Sequence, residues 1–465
     1  MAPIPDDERL LKEIYQRLEL KPLPPGDSMY ERIFDRLEGD DPVANLKIGI
    51  EWGHEQSLQL FSGFRGMGKT TELFRLQKEL EDNGHLVLYA DALDYLSPSE
   101  EIDIATMLMS VAGAFGDQLE EITGIRATGE SFWQRITNYL TKTSIEVGEL
   151  STKLEANSPA KVLLGGLKAG LDVKAALKTA PSFRQTLEAF LSNRLYELKT
   201  EVDAYIEEGV KAIRREKGDQ GLSIVFLFDQ FEQLRGSRSN EQLVIRSVER
   251  LFASHLEQLK LPFLHVIYTV PPWLQFTLPG ALSIERLPCV RLWNNDETRT
   301  PYEPGMAMMR AAIKKRFSPE SWQRIFGEEG ASGAPVDRLI EMSGGHFRDL
   351  LRLFREIIVL VRTRRAKLPL TVEYLERAIV NVQNDYLPIA IDDARWLDRV
   401  AKGRDTALPD DSPANIARLS RFLDTHLVLP LTNGKDWYDI HPLIRDEVAK
   451  LARLPVEEAQ NGSPG

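Results

Sequence analysis

Two hydrophobic rhythms alternate along this chain. Short continuous apolar runs, the pattern of strands buried on both faces of a parallel sheet, occur at Ser57 to Ser62, Leu86 to Ala90, Ser223 to Phe228, Phe263 to Thr269 and Leu287 to Trp293. Between them apolar residues recur at three- and four-residue steps, the pattern of helices with one buried face. Leu10, Leu11, Ile14, Tyr15 and Leu18 mark a first helix. The prolines of Lys21 to Pro25 break it, and a second helix is expected from Met29 to Leu37. Asp40-Asp41-Pro42 opens another helix through Ile50, and Leu73, Leu76 and Leu80 give Thr71 to Leu80 an apolar face. The stretch Leu163 to Ala180, rich in Gly, Ala and Lys, reads as a loop or hairpin, and Pro181 to Ile213 reads as one long helix.

After the last strand signal the pattern is helical from 302 to 383. Two more helices (Asp392 to Ala401 and Ser412 to Leu427) then precede a hairpin turning at Asn433-Gly434 and a final helix from Pro442 to Leu451, the layout of a winged helix. The division expected is a helical arm (1–40), an α/β core (41–300) with a helical insertion at about 102–220, a helical lid (301–385), a winged helix (386–455) and a disordered tail (456–465).

Composition narrows the class. A chain of 465 residues with 43% hydrophobic and 28% charged residues suits a soluble protein of several domains. The single cysteine, Cys289, excludes an internal disulfide and a thiolate metal site. The acidic N-terminus lacks the apolar segment of a signal peptide, and no apolar run is long enough to cross a bilayer, so a cytoplasmic protein without membrane contact is expected. A net charge of −12 argues against a generally basic nucleic-acid coat. A local basic run follows Arg348, through Arg352, Arg355, Arg362, Arg364 and Arg365.

One stretch carries specific chemistry. Gly63-Phe64-Arg65-Gly66-Met67-Gly68-Lys69-Thr70 fits G-x-x-x-x-G-K-[ST] between a strand signal and a helix signal. The backbone from Gly63 through Arg65, Gly66, Met67 and Gly68 to Thr71 is then expected to cradle phosphates at a helix N-terminus. Lys69 would reach the β- and γ-phosphates of ATP or ADP, and the Thr70 hydroxyl would ligate Mg²⁺. Asp91 ends the next strand, where it either approaches the site or caps a turn. Asp229 ends the apolar run 223–228, the place of a second Mg²⁺ ligand. Glu232, three residues on, is either the base for an attacking water or an ordinary surface charge. Thr269 puts a hydroxyl at a third strand tip, and Arg348 opens a lid helix after Ser343-Gly344-Gly345-His346-Phe347. The fold class these features define is an α/β P-loop NTPase with a parallel sheet and helical insertion, followed by a helical lid and a winged-helix domain.

Taken together, the P-loop, Asp229 with Glu232, Thr269, the Gly-Gly-His-Phe-Arg segment and the trailing winged helix resemble the AAA+/STAND class of ATPases, over roughly residues 41 to 453 outside the insertion. Asp229-x-x-Glu232 is similar to the NACHT pattern. Ile440-His441-Pro442-Leu443 resembles the Met-His-Asp motif of NB-ARC proteins, with Pro442 in place of the Asp. The resemblance implies that Thr269 is sensor 1, that Arg348 is sensor 2, and that His441 contacts ADP in a closed state; a helix-capping role is the alternative for His441. It also implies that Arg286 is an arginine finger acting in trans, hence a homo-oligomer in the ATP state, with a surface residue as the alternative.

Three functions follow from these readings. The first is a slow, regulatory ATPase switch of the STAND type, whose effector and sensor are separate protein partners, in a bacterial conflict or antiphage system. The second is an origin-recognition- or transposition-like AAA+ ATPase that binds DNA through its winged helix. There Arg418 and Arg421 would meet phosphates, although Asp424 shares their helix. A small-molecule kinase has no use for the lid and winged helix.

Overall fold

The computed structural model describes residues 5–34, 41–126, 129–150, 158–237, 239–278, 280, 282–330, 334–365 and 367–455. Its centre is built by strands β1 (Ser57–Gly63), β2 (Leu86–Asp91), β3 (Ile224–Asp229), β4 (His265–Val270) and β5 (Ile284–Leu287). All pair in parallel, in the order β2-β3-β4-β1-β5. The pleat sends alternate side chains to opposite faces. Val225 and Leu227 of β3 thus enter one hydrophobic core, while Ile224, Phe226 and Phe228 enter the other. All five are fully buried, and each such side chain contributes roughly 1.5–3 kcal/mol.

One core joins the sheet to α1 (Pro5–Arg17), α2 (Pro42–Glu51), α3 (Lys69–Asp82), the lid and the winged helix; the other joins it to the insertion. Asp41 caps α2 by accepting the Val43 N–H. The insertion comprises α4 (Ile104–Thr123), α5 (Phe132–Leu150), α6 (Pro159–Lys168), α7 (Val173–Thr179), α8 (Pro181–Leu191) and α9 (Leu195–Lys217), and α10 (Glu241–Ser254) and α11 (Leu274–Thr277) complete the core. The lid is α12 (Glu303–Lys314), α13 (Pro319–Gly330), α14 (Ala334–Ser343), α15 (Phe347–Arg364) and α16 (Val372–Gln383). Helices α17 (Ile391–Gly403) and α18 (Pro413–Asp424), the antiparallel hairpin of β6 (Val428–Thr432) and β7 (Asp436–Ile440), and α19 (Arg445–Ala452) form the winged helix.

Four local expectations need correction. Residues 20–34 form an extended segment with turns rather than a second arm helix. Pro22, Pro24 and Pro25 remove backbone donors, and Asp27 takes the Met29 N–H. Asp35 to Leu37, like the expected tail 456–465, lies outside the described residues. Residues 163–180 are mostly helical, because Leu163, Leu167, Val173 and Leu177 are buried and Asp172 caps α7. The long helix is two helices, broken where Arg194 leaves helical geometry (φ −129°, ψ 19°) after Ser192 and Asn193, side chains that compete with the helical backbone. The fifth strand is Ile284–Leu287, not Leu287 to Trp293. Pro288 ends it, and the following amides turn elsewhere: Cys289 N–H donates to Pro430 O (3.0 Å) and Val290 N–H to Gly345 O (3.1 Å). That segment therefore stitches the core to the wing and the lid instead of extending the sheet.

Candidate functional site

The P-loop runs from the end of β1 into α3. Gly68 sits in the left-handed region (φ +95°), a conformation an L side chain adopts only with strain, and it turns the chain directly into the helix N-terminus. Lys69 is buried, with its Nζ 2.8 Å from Glu232 Oε1 and 3.3 Å from Phe64 O. The Thr70 hydroxyl donates to Asp229 Oδ2 (2.6 Å), as does the Tyr89 hydroxyl (3.0 Å), and the Gln230 N–H donates to Oδ1 (2.7 Å). Asp229 is fully buried, and burial together with the charge of Glu232 pushes its carboxyl up to about 6, against the Thr70 hydroxyl and Lys69. A hydroxyl and a carboxylate oxygen side by side are the hard donors that suit Mg²⁺, so Thr70 and Asp229 fit the ion this motif implies. Glu232 engages Lys69 through one oxygen. The other, Oε2, is buried and has no hydrogen-bond partner among the described residues. Asp91 caps the turn after β2 by accepting the Leu93 N–H (2.8 Å) and takes the Gln230 side-chain amide.

A cavity of about 410 Å³ opens over the P-loop. It is lined by Arg65 to Thr71, by Gln230, Glu232 and Gln233, and by Phe347, Arg348 and Leu351 of the lid. The lid is bonded to the loop itself: Arg348 N–H donates to Gly66 O (3.0 Å), and His346 Nε2 lies 2.9 Å from Arg65 O. The Arg348 guanidinium faces the cavity with Arg65, and burial followed by the Arg65 charge holds it below the usual arginine range. Cations gathered in this way favour an anionic ligand.

The arm supplies a wall that sequence reasoning did not assign. Leu20 to Leu23, Met29 to Glu31, Ile33 and Phe34 contribute to the cavity. Leu23 N–H donates to the Thr71 hydroxyl (3.1 Å), and the Tyr30 hydroxyl donates to Glu72 Oε1 (2.9 Å). The proline-rich spacing of Leu20, Leu23, Ile33 and Phe34 is the only trace of this in the sequence.

Three expected site residues lie elsewhere. Thr269 is fully buried beneath the site, where its hydroxyl accepts the Phe231 N–H (3.2 Å) and so braces the turn after β3. Arg286 is exposed on β5, ion-paired with Asp436 of the wing and hydrogen-bonded to Gln275 (2.9 Å). His441 is buried behind the lid: its Nδ1 accepts the Leu443 N–H (3.2 Å), which caps the turn, and its Nε2 lies 3.5 Å from Asp349 Oδ2. None of the three lines the cavity.

The winged helix reaches the site by another residue. Asp424, at the end of α18, pairs with Arg235 (3.5 Å) and senses the charges of Lys69 and Glu232. Burial pushes its carboxyl up to about 6. Ala417 of α18 packs into the same core as Val244, Val248 and Leu251 of α10. Arg418 pairs with Asp393 (2.5 Å) and covers the Trp396 ring, and Arg421 lies 4.0 Å from Asp393.

Motif, sheet and paired carboxylates together define the class: a P-loop NTPase fold with a lid and a winged helix. No family model and no curated protein matches the chain. Among solved structures it is similar to the Walker-type ATPase paby2304 of Pyrococcus abyssi, at 12% identity and a TM-score of 0.39 over 94% of this chain and 100% of that one. It is also similar to the ADP form of the Aeropyrum pernix ORC2 protein (10%, 0.40, 94% and 98%) and to the Aeropyrum pernix ORC1 protein in complex with DNA (13%, 0.35, 94% and 96%). At this distance the likenesses bear on neither activity nor ligand. Among the described residues no helix is long and apolar enough to cross a membrane.

Proposed function

We propose that the chain is an ATP-binding and slowly hydrolysing switch of the AAA+/STAND kind. The observation that carries this reading is the direct bonding of the lid to the phosphate loop, Arg348 N–H to Gly66 O and His346 to Arg65 O. A polyphosphate settling on those peptides changes the same groups that hold the lid. The lid in turn holds the winged helix through the buried surroundings of Asp349. Occupancy of the site and the position of the C-terminal half are therefore linked, which is what a switch requires.

In the site, Lys69 and Arg348 neutralise phosphate charge, and the free oxygen of Glu232 orients or deprotonates the attacking water. Mg²⁺, held by Thr70 and Asp229, would neutralise charge on the phosphates. Glu232 must release Lys69 before it can serve as base, a step consistent with slow turnover. The trigger and the output belong to partner proteins, as in bacterial conflict and antiphage systems built on this class. DNA binding by the winged helix is the less favoured reading, because Arg418 and Arg421 are occupied by Asp393 and α18 is docked on α10. Native mass measurement of the purified chain with ADP and then with a non-hydrolysable ATP analogue tests the proposal. Retained ADP, with an altered charge envelope or assembly in the analogue, is expected. Identical spectra in both would overturn the switch, and nucleotide-independent, salt-sensitive binding to duplex DNA would favour the alternative.

A further inference from the structure

We propose that His346, Asp349 and His426 form a site for a divalent transition metal of the zinc class, which clamps the phosphate loop, lid and winged helix together. The three are buried, and their ligand atoms all lie within 4.8 Å of one another. They come from the turn before α15, from the first turn of α15 and from the turn before β6, so one ion there would bridge the lid and the winged helix. This is a different position and a different donor set from the hydroxyl and carboxylate expected to hold Mg²⁺.

The local bonding calls for a cation. His346 Nε2 faces the Arg65 carbonyl at 2.9 Å, and a carbonyl only accepts, so Nε2 carries the proton of the neutral ring. Nδ1 is then a lone pair, yet it lies 2.5 Å from Asp349 Oδ2, another acceptor. At 2.5 Å the two atoms share a proton; a metal with ~2.0–2.1 Å bonds would replace that proton and spread them to roughly 3.3 Å. His426 Nδ1 also points at Asp349 Oδ2, at 3.5 Å. That is too long for a good N–H to O bond, and close to the roughly 3.3 Å between ligand atoms in a tetrahedral shell of ~2.0–2.1 Å bonds. The other nitrogen of His426 is buried without a hydrogen-bond partner among the described residues.

The surroundings are those of a built metal site. A ligating histidine ordinarily gives its second N–H to a carbonyl or carboxylate, as His346 does to Arg65. Asp349 is oriented by the Tyr386 hydroxyl on Oδ2 (2.7 Å) and by Arg352 on Oδ1 (2.8 Å). His441, whose Nδ1 accepts the Leu443 N–H, places its Nε2 3.5 Å from the same Asp349 oxygen, beyond good hydrogen-bond distance at the rim of the cluster. Two imidazoles and a carboxylate select zinc and its transition-metal neighbours over Mg²⁺ or Ca²⁺, which take oxygen ligands.

The test is metal content and affinity, read without reference to ATPase activity. The full chain, freed of any affinity tag and dialysed against zinc-free buffer, is offered a small excess of ZnCl₂, gel-filtered and analysed by elemental mass spectrometry. One zinc per chain is expected, and Co²⁺ in its place should give the visible absorption of a low-symmetry nitrogen and oxygen site. Tyr386→Phe, which removes only an outer hydroxyl, should weaken zinc about tenfold or more in competition with a chromogenic chelator. His426→Gln should lose the equivalent. Should His426→Gln fail to fold, the wild-type stoichiometry and Tyr386→Phe decide alone. Wild-type protein that retains no zinc would overturn the site and leave a proton between His346 and Asp349. So would a folded His426→Gln that retains as much zinc as wild type.

Discussion

Replacing Asp424 by Asn isolates the electrostatic coupling between the winged helix and the candidate site. Asp424 is carried by α18 into the neighbourhood of Arg235, Lys69 and Glu232, and burial raises its carboxyl from 3.8 to about 6. A raised carboxyl means that the docked state binds the proton more tightly than the undocked or unfolded chain does. Stability from this group is therefore fully present below pH ~4, is lost as pH rises through about 6, and stays lost above it. The shift of roughly two units corresponds to up to about 3 kcal/mol at 1.36 kcal/mol per unit. Asn keeps the shape without the charge. Asp424→Asn should therefore gain up to about 3 kcal/mol over wild type near pH 8 and nothing near pH 4, with the difference opening between the two carboxyl values. Arg235, which loses its partner, is partly exposed and is compensated by water. Urea unfolding of both proteins across this range gives the difference curve directly. A gain that does not vary with pH, or a loss at pH 8, would refute the argument. If the switch reading holds, the variant should also resist the change that ATP promotes.

Other expectations concern the site and its hinge. Lys69→Ala removes a charge-assisted phosphate contact worth about 1.5–3 kcal/mol, so affinity for a fluorescent ATP analogue should fall at least about tenfold; unchanged affinity excludes the site. Glu232→Gln frees Lys69 and should bind ATP more tightly while turning it over about 100-fold or more slowly, measured by phosphate release, and normal turnover would remove Glu232 as base. Gly345→Ala should lose more than about 3 kcal/mol in denaturant unfolding, since a Cβ there would lie 1.8 Å from Val290 O on a backbone with φ +76°. A mild effect would mean that the lid does not need this approach.

The parts legible from sequence are those fixed by neighbours along the chain. The P-loop declares itself through glycine spacing between a strand and a helix, and β3 through a run of five residues apolar enough to be buried on both faces. The helices of the winged helix and its hairpin follow the same local logic. Segments with ambiguous local signals take their structure from partners distant in the chain. Leu287 to Trp293 looks like a strand by composition, but its amides have partners in the lid and wing, and only the packed structure supplies those. Residues 163–180 look loop-like until their leucines find the insertion core.

Sequence by itself determined where the candidate phosphate and Mg²⁺ residues lie: Lys69 and Thr70 at a helix start, and Asp229 at a strand end, because backbone geometry and burial periodicity are local properties. Tertiary structure decided which side chains from distant segments meet them. It drew Glu232 onto Lys69, brought the arm over the cavity, and carried Asp424 close enough to sense Lys69. It also gathered His346, Asp349, Tyr386, His426 and His441 around a single buried carboxylate. Those residues span four separate segments, and no periodicity records their proximity. Their meeting depends on the angle at which the lid and winged helix pack against the sheet.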